Sequence, residues 1–175
     1  MKKILLLIAS RGFQCHEYTA TRTELEKCDF HIITGSDTLG EALGNDGSTQ
    51  KVDVELKNIH AHDYDGIFWI GGPGALPCLD NQESNRIANE AMLLQKSYGA
   101  ICIAPRILAK AHVMTGKHAT GWDGDNALSQ IFLENNVIYQ RQSVVIDKNL
   151  ITADGPQSAE AYGAAIASVL TSHDS

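Results

Sequence analysis

Four short apolar runs recur along the chain with amphipathic stretches between them, and that rhythm constrains the fold more than any other feature. The runs are KILLLIA at 3–9, FHIIT at 30–34, IFWI at 67–70 and AICI at 100–103. Each is too short for a helix and none alternates with polar residues, as expected of strands covered on both faces. Helical periodicity fills roughly 18–27, 82–97 and 105–114. The second helix opens with Asp80, and Glu83 three residues on predicts a capping arrangement. Strand–helix–strand alternation at this spacing predicts an α/β fold with a mostly parallel sheet and helices on both faces.

Two stretches depart from the rhythm. Residues 35–51 are polar and glycine-rich and read as a loop or short excursion, after which VDVEL at 52–56 alternates as a half-exposed strand. In the C-terminal half, 137–146 and 150–153 flank Asp147, Lys148 and Asn149, which predicts a β-hairpin with a three-residue turn. A final helix is expected over about 157–171, riding on alanines, Val169 and Leu170. With 175 residues and no repeat or linker, the whole span 1–175 reads as a single domain.

Composition narrows partner and compartment. Fourteen Lys and Arg against twenty-one Asp and Glu leave a formal charge of −7, and no basic run offsets it, so no nucleic-acid partner is expected. Lys2 and Lys3 before the apolar run imitate a secretory leader, but the run soon meets Ser10, Arg11 and Gly12 instead of a cleavage site. No stretch approaches the roughly 18 apolar residues of a membrane span. The four cysteines, Cys15, Cys28, Cys78 and Cys102, are irregularly spaced without any CxxC, which reads as thiols of a reducing compartment. A cytoplasmic protein with no membrane partner is expected.

Three segments carry chemistry. In GAICIAPRILAKA at 99–111 a strand runs into Cys102 and a helix can start at Pro105, with Ala100 and Ala104 small enough for a tight nucleophile elbow. A cysteine at such a turn adjoins a helix N-terminus that favours a thiolate, although a structural cysteine closing a core strand fits the same pattern. GGPG at 71–74 follows IFWI and could bring backbone N–H groups close to a substrate oxygen; an ordinary turn is the alternative. RGFQCHEYT at 11–19 follows the first strand, and the carboxyl ends of parallel strands share one crevice. Glu17 would then reach Cys102 as a shielded, protonated acid, unless it is a surface carboxylate in a first helical turn.

These segments, with TGKHATGW at 115–122 and VVIDKNLITADGP at 144–156, resemble in collinear order the PfpI/DJ-one family of the class I glutamine amidotransferase-like superfamily. That family contains the PfpI-type intracellular peptidases and the parkinsonism-associated deglycase. The resemblance implies a flavodoxin-like three-layer sandwich with Cys102 as elbow nucleophile and Glu17 as the facing acid. It places the oxyanion hole at the backbone N–H groups of Gly72 and Ile103, with Cys15, His16, Gly71 and Trp122 as neighbours of the site. It also implies a homodimer, no cofactor, and a small aldehyde or glycated substrate.

The departures from that family bear on activity. Peptidase-like members carry a histidine where this chain has Ile103, and deglycase-like members offer one where it has Trp122. Without a base beside the thiol, peptide hydrolysis is disfavoured. The family's arginine before the final Gly-Pro is Asp154, which removes an anion contact. His16 and His118 read as surface or structural, HAHD at 60–63 as solvated sequence and not a metal site, and Cys28 and Cys78 as packing residues. Cys15 is a candidate resolving thiol. Two functions are expected: glyoxalase- or deglycase-like chemistry on reactive carbonyls, or a redox-sensing or chaperone-like stress protein in which Cys102 is oxidised.

Overall fold

Strand β1 (Lys3–Ile8) is the axis around which the other elements are laid. The computed structural model describes residues 1–172, so the last three residues of the span read as one domain lie outside the described residues. After β1 come β2 (Arg11–Phe13), α1 (Cys15–Glu26), β3 (His31–Ser36), β4 (Gly40–Gly44), β5 (Thr49–Val52) and β6 (Val54–Glu55). Then follow β7 (Gly66–Trp69), α2 (Ala75–Leu79), α3 (Gln82–Leu93), β8 (Ser97–Ile101) and α4 (Pro105–Lys110). The C-terminal part holds β9 (His118–Ala119), α5 (Leu128–Glu134), β10 (Ile138–Tyr139), β11 (Val144–Asp147), β12 (Leu150–Ala153) and α6 (Ala159–Ser172).

Among the described residues the main sheet runs β11-β12-β8-β7-β1-β3-β6, parallel throughout except at edge strand β11. The pleat of β1 sends successive side chains to opposite faces. Ile4, Leu6 and Ile8 pack with Leu25 of α1 and with Tyr162, Ile166 and Leu170 of α6. Leu5 and Leu7 pack with Ile87 and Ala91 of α3 and with Ile107 and Leu108 of α4. Residues Ile4 to Ile8 are all fully buried, which explains why the run carries no polar alternation. The result is the mostly parallel sheet covered by helices on both faces that the alternation of runs predicts, in the flavodoxin-like sandwich that the family resemblance implies.

Several local expectations are corrected. Residues 35–51 are not a plain loop: β4 and β5 form an antiparallel pair that β2 joins in a small three-stranded sheet. Only Val54 and Glu55 of the 52–56 strand join the main sheet. The hairpin uses Val144–Asp147 alone, because Ile138–Tyr139 pairs with His118–Ala119 instead, and Asp147 opposes Leu150 across two residues, with Lys148 at φ 57°. Helix α3 is capped by Asn81, whose side chain accepts from Ser84 N at 3.0 Å, while Asp80 pairs with Lys110 at 2.8 Å. Helices α3 and α4 end short of the expected 97 and 114, and α6 starts after a 3-10 turn at Pro156–Ser158. Among the described residues no helix is long and apolar enough to cross a membrane.

Candidate active site

The carboxyl ends of β1, β7 and β8 lie side by side, so the loops that leave them meet. They are bonded to one another: Gln14 N donates to Gly71 O at 2.9 Å and Gly74 N to Gly12 O at 2.9 Å. Cys102 sits where β8 turns into α4, with φ at 64°, a left-handed conformation that costs a non-glycine residue about 1–3 kcal/mol. The turn is held on three sides. Cys102 N donates to Ala153 O at 3.0 Å, Trp122 N donates to Cys102 O at 2.7 Å, and Ala104 N donates to Ile101 O at 3.2 Å.

The glycine pair after β7 is there because nothing larger fits. A side chain at Gly71 would begin 2.6 Å from Cys102 Cβ and 2.8 Å from Glu17 Oε2. Gly72 has φ +119°, and a Cβ there would fall 2.5 Å from Gln14 N. This close approach lets the N–H of Gly72 join that of Ile103 in pointing at the Cys102 thiol.

Helix α1 begins earlier than periodicity suggests, at Cys15, with Gln14 as its cap accepting from Glu17 N at 2.7 Å. That start places Glu17 in the first turn with its side chain turned inward and fully buried. Oε2 accepts from Gly71 N at 2.9 Å, Oε1 has no conventional hydrogen-bond partner, and the Cys102 thiol faces the carboxyl. Burial pushes the Glu17 pKa from 4.5 up to about 7, against the opposing pull of Cys102 and Gly71 N–H. The thiol of Cys102 is also pushed up, first by burial and then by the facing carboxylate, and the two amides only partly offset this. A thiolate favoured outright by a helix N-terminus is therefore not what the geometry gives, because α4 is one short helix set against a buried acid.

A cavity of about 330 Å³ opens over Cys102 between Gln14, Gly72, Pro73, Ile103, Trp122 and Pro156. Trp122 and Gly71 are thus at the site. Cys15 and His16 are not. Cys15 lies two residues before Glu17, on the other side of the helix, where its thiol contacts Asp46 Oδ1 at 2.9 Å and Ser48 Oγ at 3.2 Å. His16 is exposed in a groove with Thr19, Thr23 and Lys27. His118 pairs with Asp147 at 3.3 Å, and His60 and His62 stack on an exposed 3-10 turn. Among the described residues no three metal-ligating side chains cluster. Cys78 is half-buried against both cores, whereas Cys28 is exposed and packs no core, contrary to expectation.

Two features had no sequence signal. Tyr162 of α6 is fully buried edge-on to Phe68, its hydroxyl has no partner, and its ionisation is held back by burial and by Glu17. Arg106 is buried and bidentate to Asp125 at 2.7 and 2.9 Å, with its guanidinium 5.5 Å from the Trp122 ring.

Residues 2–169 match the DJ-1/PfpI family. An uncharacterized protein of Methanocaldococcus jannaschii is 30% identical, over 92% of this chain and 78% of that protein. The putative cysteine protease YraA of Bacillus subtilis is 24% identical over 92% of this chain and 94% of its own, and a deglycase of Pyrococcus abyssi 22% identical over 90% and 93%. The crystal structure of a ThiJ/PfpI domain protein from Brachyspira murdochii superposes with a TM-score of 0.90 at 23% identity, over 97% of this chain and 96% of that one. The chain belongs to the DJ-1/PfpI family.

Proposed function

We propose that this DJ-1/PfpI member is a cysteine enzyme that hydrates 2-oxoaldehydes, or their adducts, in a glyoxalase- or deglycase-like reaction. The observation that carries the reading is a half-buried thiol under two converging amides, faced by an acid that titrates at about 7. Cys102 Sγ passes its proton to ionised Glu17 and adds to the aldehyde carbon, forming an S–C bond as the C=O π bond breaks; the N–H groups of Gly72 and Ile103 receive the developing oxyanion, which takes the proton back from Glu17 to give a hemithioacetal. Glu17, poised near neutrality, takes the proton from that carbon and returns it at the neighbouring carbon, while the hemithioacetal hydroxyl proton moves to the former ketone oxygen. The aldehyde carbon is thereby oxidised to a thioester as the ketone carbon is reduced to an alcohol, with no outside oxidant. Water cleaves the thioester and releases the 2-hydroxy acid and the thiol.

Peptide hydrolysis fits less well, since residue 103 is isoleucine and His16 faces another groove. Comparing wild type with Cys102→Ala and Glu17→Gln on methylglyoxal, with lactate as readout, tests the proposal: both variants lose turnover, and equal rates in all three proteins end it. The same amides and acid would also hold the oxygens of an oxidised Cys102, which supports a second reading as a redox sensor. Peroxide titration with intact mass decides that reading. Modification of the exposed Cys28 before Cys102 rejects it.

A further inference from the structure

We propose that Trp122 sets the substrate class of the Cys102 site, admitting uncharged 2-oxoaldehydes with an apolar substituent and turning away those bearing a carboxylate or phosphate. The inference rests on the carbonyl-addition reading above. No residue lining the cavity over Cys102 carries a formal charge at neutral pH apart from the thiol's own ionisation, and Pro73, Ile103, Trp122 and Pro156 give it apolar walls. Its volume of about 330 Å³ suits a small ligand. An anion placed there would lose its water with no cation in return. The guanidinium of Arg106, 5.5 Å from the indole ring, is already committed to Asp125.

Trp122 also lines a second hollow, with Asp123, Asp154 and Arg141, the last 3.9 Å from Asp123.

The indole is built into place and is no incidental surface aromatic. Arg106 covers one side of it, and Gly124 lies against it so closely that a Cβ there would fall 2.4 Å from Cζ2. The main chain of Trp122 is tied to the elbow through Cys102 O at 2.7 Å and to Arg106 through its own carbonyl at 3.2 Å. Its remaining exposure, 37%, leaves surface on which a flat or branched apolar group can pack.

The test uses phenylglyoxal carrying a 4-carbamoyl or a 4-carboxylate group, which match in size and differ in charge. Wild type should prefer the neutral compound in kcat/KM by about tenfold or more, Trp122→Phe should keep most of that preference, and Trp122→Ala should lose it. Gly124→Ala, which displaces the indole without removing it, should also lower the ratio. A wild-type ratio near one, or a ratio unchanged in Trp122→Ala, overturns the inference. A second arm needs no turnover: alkylation of Cys102 by iodoacetamide and by iodoacetate, followed by intact mass and divided by the rates with free cysteine. If no aldehyde is turned over but the neutral reagent is favoured only when Trp122 is present, the carbonyl reading fails and the wall stands. If aldehydes are turned over without regard to charge, the wall alone fails.

Discussion

Replacing Glu17 with glutamine should flatten one part of the pH–stability profile. In the folded chain the carboxyl is fully buried and its pKa is pushed from 4.5 up to about 7, chiefly by loss of water. Below the ordinary value of 4.5 the folded and unfolded states both hold the proton, and the side chain adds no pH dependence. Between 4.5 and about 7 the unfolded state releases the proton while the folded state keeps it, so stability falls as pH rises. Above about 7 both states are ionised and the loss is complete. At about 1.36 kcal/mol per pH unit, that interval corresponds to roughly 3 kcal/mol. Glutamine cannot titrate, has nearly the same shape, and can still accept the Gly71 N–H. Urea unfolding at half-unit steps from pH 4.5 to about 8 should show similar stabilities at the acid end and a variant more stable by roughly 3 kcal/mol at the alkaline end. Parallel curves, or a wild type that gains on the variant as pH rises, would refute the buried-acid assignment.

Gly72→Ala should lower stability by about 2–4 kcal/mol, since it combines a left-handed φ with a Cβ 2.5 Å from Gln14 N, and thermal melting measures it. Leu6→Ala should cost about 2–5 kcal/mol from the middle of the fully buried β1 run, read as a lower urea midpoint with an unchanged slope. Asp125 is held down to about 2 by Arg106, so it adds stability above its ordinary 3.8 that is lost as pH falls toward 2. Asp125→Asn should therefore show a shallower acid limb than wild type when unfolding is followed by tryptophan fluorescence.

The main sheet was legible because its signal is local: an unbroken apolar run such as residues 4–8 has to be covered on both faces, whatever surrounds it. Cys102 was legible for a related reason, since small residues flanking a cysteine between a strand and Pro105 describe a tight turn. The misses are places where a distant partner decides. Gly40–Gly44 and Thr49–Val52 are too polar to read as strands, yet they pair with each other, and β2 bonds the free edge of β4. Asn81 displaces Asp80 as the cap because Lys110, far along the chain, holds Asp80. Cys15 and Glu17 are two residues apart in sequence, yet once α1 starts at Cys15 the helix turns them to opposite sides. The Arg106–Asp125 clamp beside Trp122 joins helix α4 to a loop that no periodicity connects to it.

A single negative charge has two places to go in this site, and the pH dependence of Cys102 reactivity says which it takes. On Glu17 the charge meets one N–H, from Gly71 at 2.9 Å, in full burial. On Cys102 it meets two, from Ile103 and Gly72, at a half-buried atom. Both charges at once are strongly opposed, because an ionised Glu17 and burial both raise the cost of ionising Cys102, whereas the neutral thiol, by donating to the carboxylate, eases the ionisation of Glu17. The pair therefore sheds its first proton near neutrality and its second only far into the alkaline range, and those values belong to the pair. If sulfur carries a useful share of the first charge, alkylation of Cys102 by iodoacetamide should rise around pH 7 and then stay level to about pH 9. In Glu17→Gln the thiol titrates without its acid, and burial alone should move the rise above the ordinary cysteine value of about 9. A wild-type profile with no step near neutrality, rising only where the variant rises, would place the charge on Glu17 throughout and remove the thiolate from the resting enzyme.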